Sequence, residues 1–158
     1  MTSKERVLTR ERERGRADAL NLASRASGMD GTAIIAEEDH IPPWNETAVY
    51  TAKMVGWPVR DNGQVYTIIQ AHTPDHNPGS RPVDLPAIYS RKNTQDPKKA
   101  KPWMAPNGTS GVYIKGDCAI DNGHVWRSIF DGENVWQPTS YPAGWEDLGT
   151  VEEVQAHE

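Results

Sequence analysis

The sequence repeats itself at an interval of sixty residues: Gly56, Asp61-Asn62-Gly63, Val65, Tyr66 and Ile69 return as Gly116, Asp121-Asn122-Gly123, Val125, Trp126 and Ile129. Further along, Pro78 matches Pro138, and after four extra residues in the first copy Pro86-Ala87-Ile88-Tyr89 matches Pro142-Ala143-Gly144-Trp145. Self-similarity at a fixed period marks one supersecondary unit used twice. Asn-Gly between short runs of aromatic and β-branched residues is the strongest local hairpin signal, because a type I′ turn needs positive φ at both central positions. Hairpins are therefore predicted over Trp57–Arg60 with Gln64–Ile69, and over Cys118–Ile120 with His124–Ile129.

A unit of about 45 residues has little apolar surface to bury, so its few large rings must supply the core. The chain has six Trp and five Tyr but one Phe. Tyr66 and Tyr89 in the first copy, with Trp126 and Trp145 in the second, occupy matching places where the fold needs bulk, and they are the expected core. Trp44 and Trp103 lead into their modules, and Trp136 lies in a loop with His76 as its counterpart.

Residues 1–28 have a different texture. They contain no Pro and no aromatic residue, and seven basic side chains stand against Glu5, Glu11, Glu13 and Asp18, hence +3 in a chain of net charge -5. Leu, Ala, Arg and Glu favour a helix, predicted from Lys4 to Ser27 and ended by Gly28. A second, Thr32 to Asp39, has Asp30 and Thr32 as caps and Pro42-Pro43 as its stop. Polar, basic residues 93–102 read as a linker. The expected chain is mainly β with an N-terminal α-helical arm: arm 1–40, β module 41–92, linker 93–102, β module 103–149 and tail 150–158. Leu20 and Leu22, with Arg12 and Arg16, are the arm residues expected to anchor it to a partner.

Composition excludes several classes. No segment approaches the ~20 apolar residues of a membrane span. A net charge of -5 speaks against a polyanion binder, and the acidic residues at helical spacing in the arm favour protein docking over nucleic acid. The single cysteine, Cys118, excludes an intrachain disulfide and thiolate-rich zinc sites. The opening Met1-Thr2-Ser3-Lys4-Glu5-Arg6 lacks the apolar core of a secretory leader, so synthesis in a cytoplasm is expected.

The ordered set Tyr113, Gly116-Asp117, Asp121-Asn122-Gly123-His124-Val125-Trp126-Arg127-Ser128, Asn134, Trp136-Gln137-Pro138 and Trp145-Glu146 resembles the chitin-binding type 3 module, the carbohydrate-binding module of families 5 and 12. The first copy is more divergent: Gly56-Trp57 replaces Gly-Asp and Tyr89 replaces the terminal Trp. Its Gln70-Ala71-His72-Thr73 is similar to versions of the module in phage and prophage tail proteins, as is a helical Arg-rich segment before a Pro-Trp entry such as Pro42-Pro43-Trp44. The resemblance covers roughly residues 42–149. It implies two small duplicated antiparallel β modules in a non-enzymatic virion protein of the tail, baseplate or capsid surface. The implied partners are other phage structural proteins, with several copies on the particle and a host-surface polysaccharide as a further candidate. A free chitin-binding accessory module is the alternative.

The adjacent aromatic pair that follows the second hairpin strand in chitin-binding members is replaced here by Phe130-Asp131 and by Gln70-Ala71. That leaves Phe130, Trp136 and Tyr141 as the candidate sugar-stacking residues. His72, Asp75 and His76 form a candidate metal trio, but flanking prolines and the lack of a fourth ligand favour solvated loop side chains, and no metal or cofactor is expected. Asp117 with Asp121, or Asp131 with Glu133, would be a glycosidase-like carboxylate pair. Their location at turns points instead to backbone-bonding roles, and no catalytic residue is expected.

Overall fold

The computed structural model describes residues 2–74 and 79–156. Helix α1, Ser3–Arg25, begins on a capping box between Thr2 and Glu5 and tightens into a 3₁₀ turn at Ala26–Gly28. The Asp30 carboxylate accepts the Ala33 amide at 2.8 Å and starts α2, Gly31–Ala36, which gives way to a 3₁₀ turn at Glu38–His40 before the two prolines. Two antiparallel-rich sheets follow. The first has strands β1 (Pro58–Asp61), β2 (Gln64–Ile68) and β3 (Tyr89–Lys92). The second has β4 (Lys101–Pro102), β5 (Cys118–Asp121), β6 (His124–Ser128) and β7 (Trp145–Thr150), and helix α3, Val151–Gln155, closes the described chain. Among the described residues no helix is long and apolar enough to cross a membrane.

The repeat is a repeat of hydrogen bonds as well as letters. Val59 faces Tyr66 as Ala119 faces Trp126, and the turns have φ of 49° and 75° at Asn62-Gly63 against 50° and 76° at Asn122-Gly123. The Trp44 amide donates to Arg60 (2.8 Å) as Trp103 does to Ile120 (2.7 Å), so both modules begin with a short stretch parallel to the first hairpin strand. The Asn45 amide donates to the Tyr50 hydroxyl (3.0 Å), and that of Met104 to the Tyr113 hydroxyl (3.2 Å).

One detail of the sequence alignment is corrected. The Asp84 amide donates to the Arg81 carbonyl (2.9 Å) as Ser140 does to Gln137 (3.0 Å), and Ile88 donates to Leu85 as Gly144 does to Tyr141. Arg81-Pro82 is thus the counterpart of Gln137-Pro138, with both prolines fully buried. The extra residues of the first copy lie before Arg81, and Trp136 corresponds to Ser80 rather than to His76. Pro78 and His76 themselves fall outside the described residues.

Each sheet is covered on both faces. One face of the first carries Val59, Tyr66, Ile68, Tyr50 and Tyr89, with Tyr89 fully buried. On the other face Val65 packs with Leu22, Ala26, Ile34, Ile35 and Ile41 of the helical segment. In the second sheet Ala119, Tyr113 and Trp145 cluster on one face, while Cys118, Val125 and Ala100 meet Val151 and Val154 of α3 on the other. Cys118 is 2 % exposed, and burial pushes its thiol up to about 11, which leaves it inert. The polar stretch 93–102 is itself structured: Thr94 is buried and accepts the Cys118 amide at 2.7 Å, and the stretch ends in β4.

Leu22 is fully buried inside the first module, so its assignment to a partner surface is corrected, whereas Leu20 is 57 % exposed. Leu22→Ala should cost about 3 kcal/mol through lost burial plus a cavity, and Leu20→Ala less than about 0.5 kcal/mol. Urea denaturation of the two variants checks this; equal midpoints would remove α1 from the core.

Candidate functional site

The loop between β6 and β7 would swing freely if it were held only at its ends. Three polar anchors hold it instead. Asn134, fully buried, donates through Nδ2 to Ser128 Oγ (3.1 Å) and to the Gly144 carbonyl (3.1 Å), and its Oδ1 accepts the Trp136 amide (3.2 Å). The Trp145 indole N–H donates to the Trp136 carbonyl at 3.0 Å, tying the loop to the core ring. Asp121, the last residue of β5, accepts from Gln137 Nε2 (2.8 Å) on one oxygen and from the Thr139 hydroxyl (2.8 Å) and amide (3.2 Å) on the other.

These anchors bring Phe130, Trp136 and Tyr141 together. Ring centroids lie 5.3 Å apart for Phe130–Trp136 and for Trp136–Tyr141, and 6.4 Å for Phe130–Tyr141. The planes cross at 60–70°, the edge-to-face arrangement that the ring quadrupole favours. Trp136 is 45 % and Tyr141 37 % exposed, so the cluster is a ridged aromatic patch open to solvent rather than a core. Gly144 seats Tyr141, since a Cβ there would stand 2.9 Å from two atoms of the phenol ring.

Among the described residues the patch has no counterpart in the first module, where the equivalent positions are Gln70, Ser80 and Leu85. There Asp61, the equivalent of Asp121, is buried in an ion pair with Arg81 (Nε to Oδ2 2.9 Å), whose guanidinium sits 5.1 Å over the Trp44 ring. Trp44 donates its indole N–H to the Tyr89 hydroxyl at 2.7 Å, and His72 is hydrogen-bonded to the same hydroxyl while stacking on Tyr50. His72 is thereby part of the packing; Asp75 and His76 of the candidate metal trio lie outside the described residues. Among the described residues no group of three or more His, Cys, Asp or Glu side chains is placed to hold a metal ion.

The other sequence candidates separate by burial. Tyr66, Tyr89 and Trp145 are buried, while Trp126 is half-buried and donates its indole N–H to the Asp121 carbonyl at 3.0 Å. Asp117 accepts the Ile114 amide in its turn (2.9 Å), and Asp131 pairs with Lys115 at the surface (3.1 Å). Arg12 and Arg16 are exposed on α1, where every residue from 2 to 17 is exposed. Sequence reasoning missed Asp121 and Asn134 as the residues that set the aromatic geometry; the turn Asp before Asn-Gly in both copies was the available signal. No protein-family model matches the chain, and no curated protein matches it.

Burial opposes ionisation of Asp121, but the hydrogen bonds from Gln137 and Thr139 outweigh it and hold the carboxyl below the usual aspartate range. A depressed value means the anchor is fully present above about pH 4 and is lost as the pH falls through the lowered value. The Trp136 indole N–H resonance should therefore shift on acidification, and Asp121→Asn should show part of that shift already at pH 7. Identical titrations in wild type and variant would exclude Asp121 as the anchor.

Proposed function

We propose that this chain is a non-enzymatic virion component of a bacteriophage, attached through α1, whose second β module touches polysaccharide through Phe130, Trp136 and Tyr141. The observation that carries the contact is the convergence of these three rings of one loop, five and six residues apart in sequence, into one solvent-open patch held by polar anchors. The virion assignment rests on the resemblance of the repeats and of the Arg-rich helix before Pro42-Pro43-Trp44 to phage tail versions of the chitin-binding type 3 module. The exposed first two-thirds of α1 favours an attached protein over a free accessory module, because a lone helix of that length is marginal in water without a partner.

Ring planes crossed at 60–70° offer one sugar face at a time, not a flat track. A single stacking contact contributes about 1 kcal/mol beyond area burial, so one module binds weakly and several copies on one particle bind by effective concentration. The modules are the displayed part, and α1 is the mount.

Two measurements test this. Chain immobilised in many copies on beads should retain chitin or peptidoglycan fragments, with Trp136→Ala and Phe130→Ala reducing retention several-fold and Leu20→Ala leaving it unchanged. Retention indifferent to the ring substitutions would remove the patch as a site. Deleting residues 2–17 spares Leu22 and Ala26 and should abolish incorporation into particles with the sheets still folded; normal incorporation would contradict attachment through α1.

A further inference from the structure

Apolar and small residues recur along α1 and into its 3₁₀ end at alternating steps of four and three, Leu8, Arg12, Gly15, Ala19, Leu22 and Ala26, with one arginine interrupting the series. Such spacing lines one face of a helix. The lower part of this stripe is covered by the first module: Leu22 and Ala26 are buried, and Ala19 is half-buried. The same face then continues past the edge of the module uncovered by any described residue, and Leu8 is 43 % exposed.

Where the stripe leaves the module, an open groove of about 370 Å³ runs between α1 and the segment from Asp39 to Pro43. Its floor is Gly15, Ala19, Ile41, Pro42 and Pro43, and its rim carries Arg12, Arg16 and Arg60 against Asp39 and His40. A Cβ on Gly15 would meet nothing within 4 Å, so there is room for a large side chain above it. Arg60 is held by its Nε–H bond to the Ile41 carbonyl (2.7 Å). Arg12 and Arg16 have no ion-pair partner among the described residues.

We propose that this groove is the docking site for an acidic amphipathic helix of a different protein, its apolar side chains over Gly15, Pro42 and Pro43 and its carboxylates on Arg12, Arg16 and Arg60. The proposal rests on the reading of α1 as the attachment arm and names the chemistry of what it attaches to. Two observations select the occupant. The groove continues an interface that is already packed, so an occupant extends the burial of one stripe. Three guanidinium groups around an apolar floor fit carboxylates bidentately. A second copy's α1 is itself basic and repels. Nucleic acid gains nothing from an apolar floor of Gly15, Pro42 and Pro43, which the apolar face of an amphipathic helix covers.

The test uses the full chain with a fluorescent helical peptide of Leu and Glu in heptads, its Leu/Lys counterpart and a single-stranded DNA of equal charge. The Leu/Glu peptide should bind in a salt-sensitive way. Arg12→Glu with Arg16→Glu, and separately Gly15→Leu, should each weaken it about tenfold, while Phe130→Ala changes nothing. Equal binding by the charge-reversed chain, preference for the DNA, or a dimer that the same substitutions dissolve would overturn the proposal. Particle incorporation separates the two levels. If deletion of residues 2–17 abolishes it while the arginine and glycine variants incorporate normally, the groove is wrong and the attachment reading stands; incorporation of the deleted chain refutes the attachment reading itself.

Discussion

Each module depends on one buried aromatic contact between the entry segment and the start of its last strand: Tyr50 against Tyr89 in the first, Tyr113 against Trp145 in the second. The pairs meet edge to face, at 6.4 Å and 85° and at 5.5 Å and 70°. A sheet of three or four short strands has no second layer of its own, so the ring pair is what closes it. The hydroxyls of Tyr50 and Tyr113 accept backbone amides from the entry segments, which fixes the chain just after Trp44 and just after Trp103. From this hub the consequences run outward. Trp145 holds the Trp136 carbonyl through its indole N–H, so the ring that completes the core also positions the ring exposed at the surface.

Among the described residues the two modules are joined through polar groups, the buried Arg91 foremost, rather than by an apolar seam. Arg91, 5 % exposed, gives its Nη2 to the carbonyls of Met104 (2.8 Å) and Gly111 (3.1 Å) and lies 5.8 Å over the Tyr113 ring. Asn93 donates to the carbonyls of Gly111 and Val112, and Thr32 of the helical segment accepts the Gln95 amide at 2.9 Å. Directional bonds to carbonyls specify a single relative placement in a way that a greasy contact of equal area would not. Glu38 adds an ion pair with Lys101, so the helical segment is bonded to the entry of the second module as well as packed on the first.

The hairpins and the three buried core rings were legible because both signals are local. Asn-Gly demands positive φ, and a small unit has few candidates for bulk. The edge strands were less legible. Tyr89-Ser90-Arg91-Lys92 and Trp145-Glu146-Asp147-Leu148-Gly149-Thr150 carry charges at the positions facing solvent or the neighbouring module, and β7 has a bulge next to its pairing with Val125 and Trp126, which breaks the alternation a strand displays in sequence. β4 is hidden in a Lys-rich stretch because two residues of parallel pairing need no apolar pattern. Leu22 was misassigned for a similar reason: which side of an amphipathic helix the chain uses for itself is decided by the distant Val65, Ile34 and Ile41, not by the helix. Of the candidate site, the three rings could be named from the sequence, but their convergence depends on Asp121 and Asn134, whose bonds span 16–18 and 6–10 residues.

On the function proposed above, duplication lets a single chain carry a mount and a contact surface on one scaffold. The two copies share the Asn-Gly turn, the parallel entry stretch and the loop hydrogen bonds, yet they differ where a loop side chain meets the turn aspartate. In the first copy Asp61 binds Arg81, which covers Trp44 and leaves Gln70, Ser80 and Leu85 at the positions of the aromatic patch. In the second copy Asp121 binds the neutral Gln137 and Thr139, so the loop is held without a cation over an aromatic face and Trp136 stays open. The back faces diverge in the same sense. Val65 is covered by the long helical segment and Val125 by the short α3. The two copies thus differ both in the partner that the turn aspartate receives and in the helix that covers the back face.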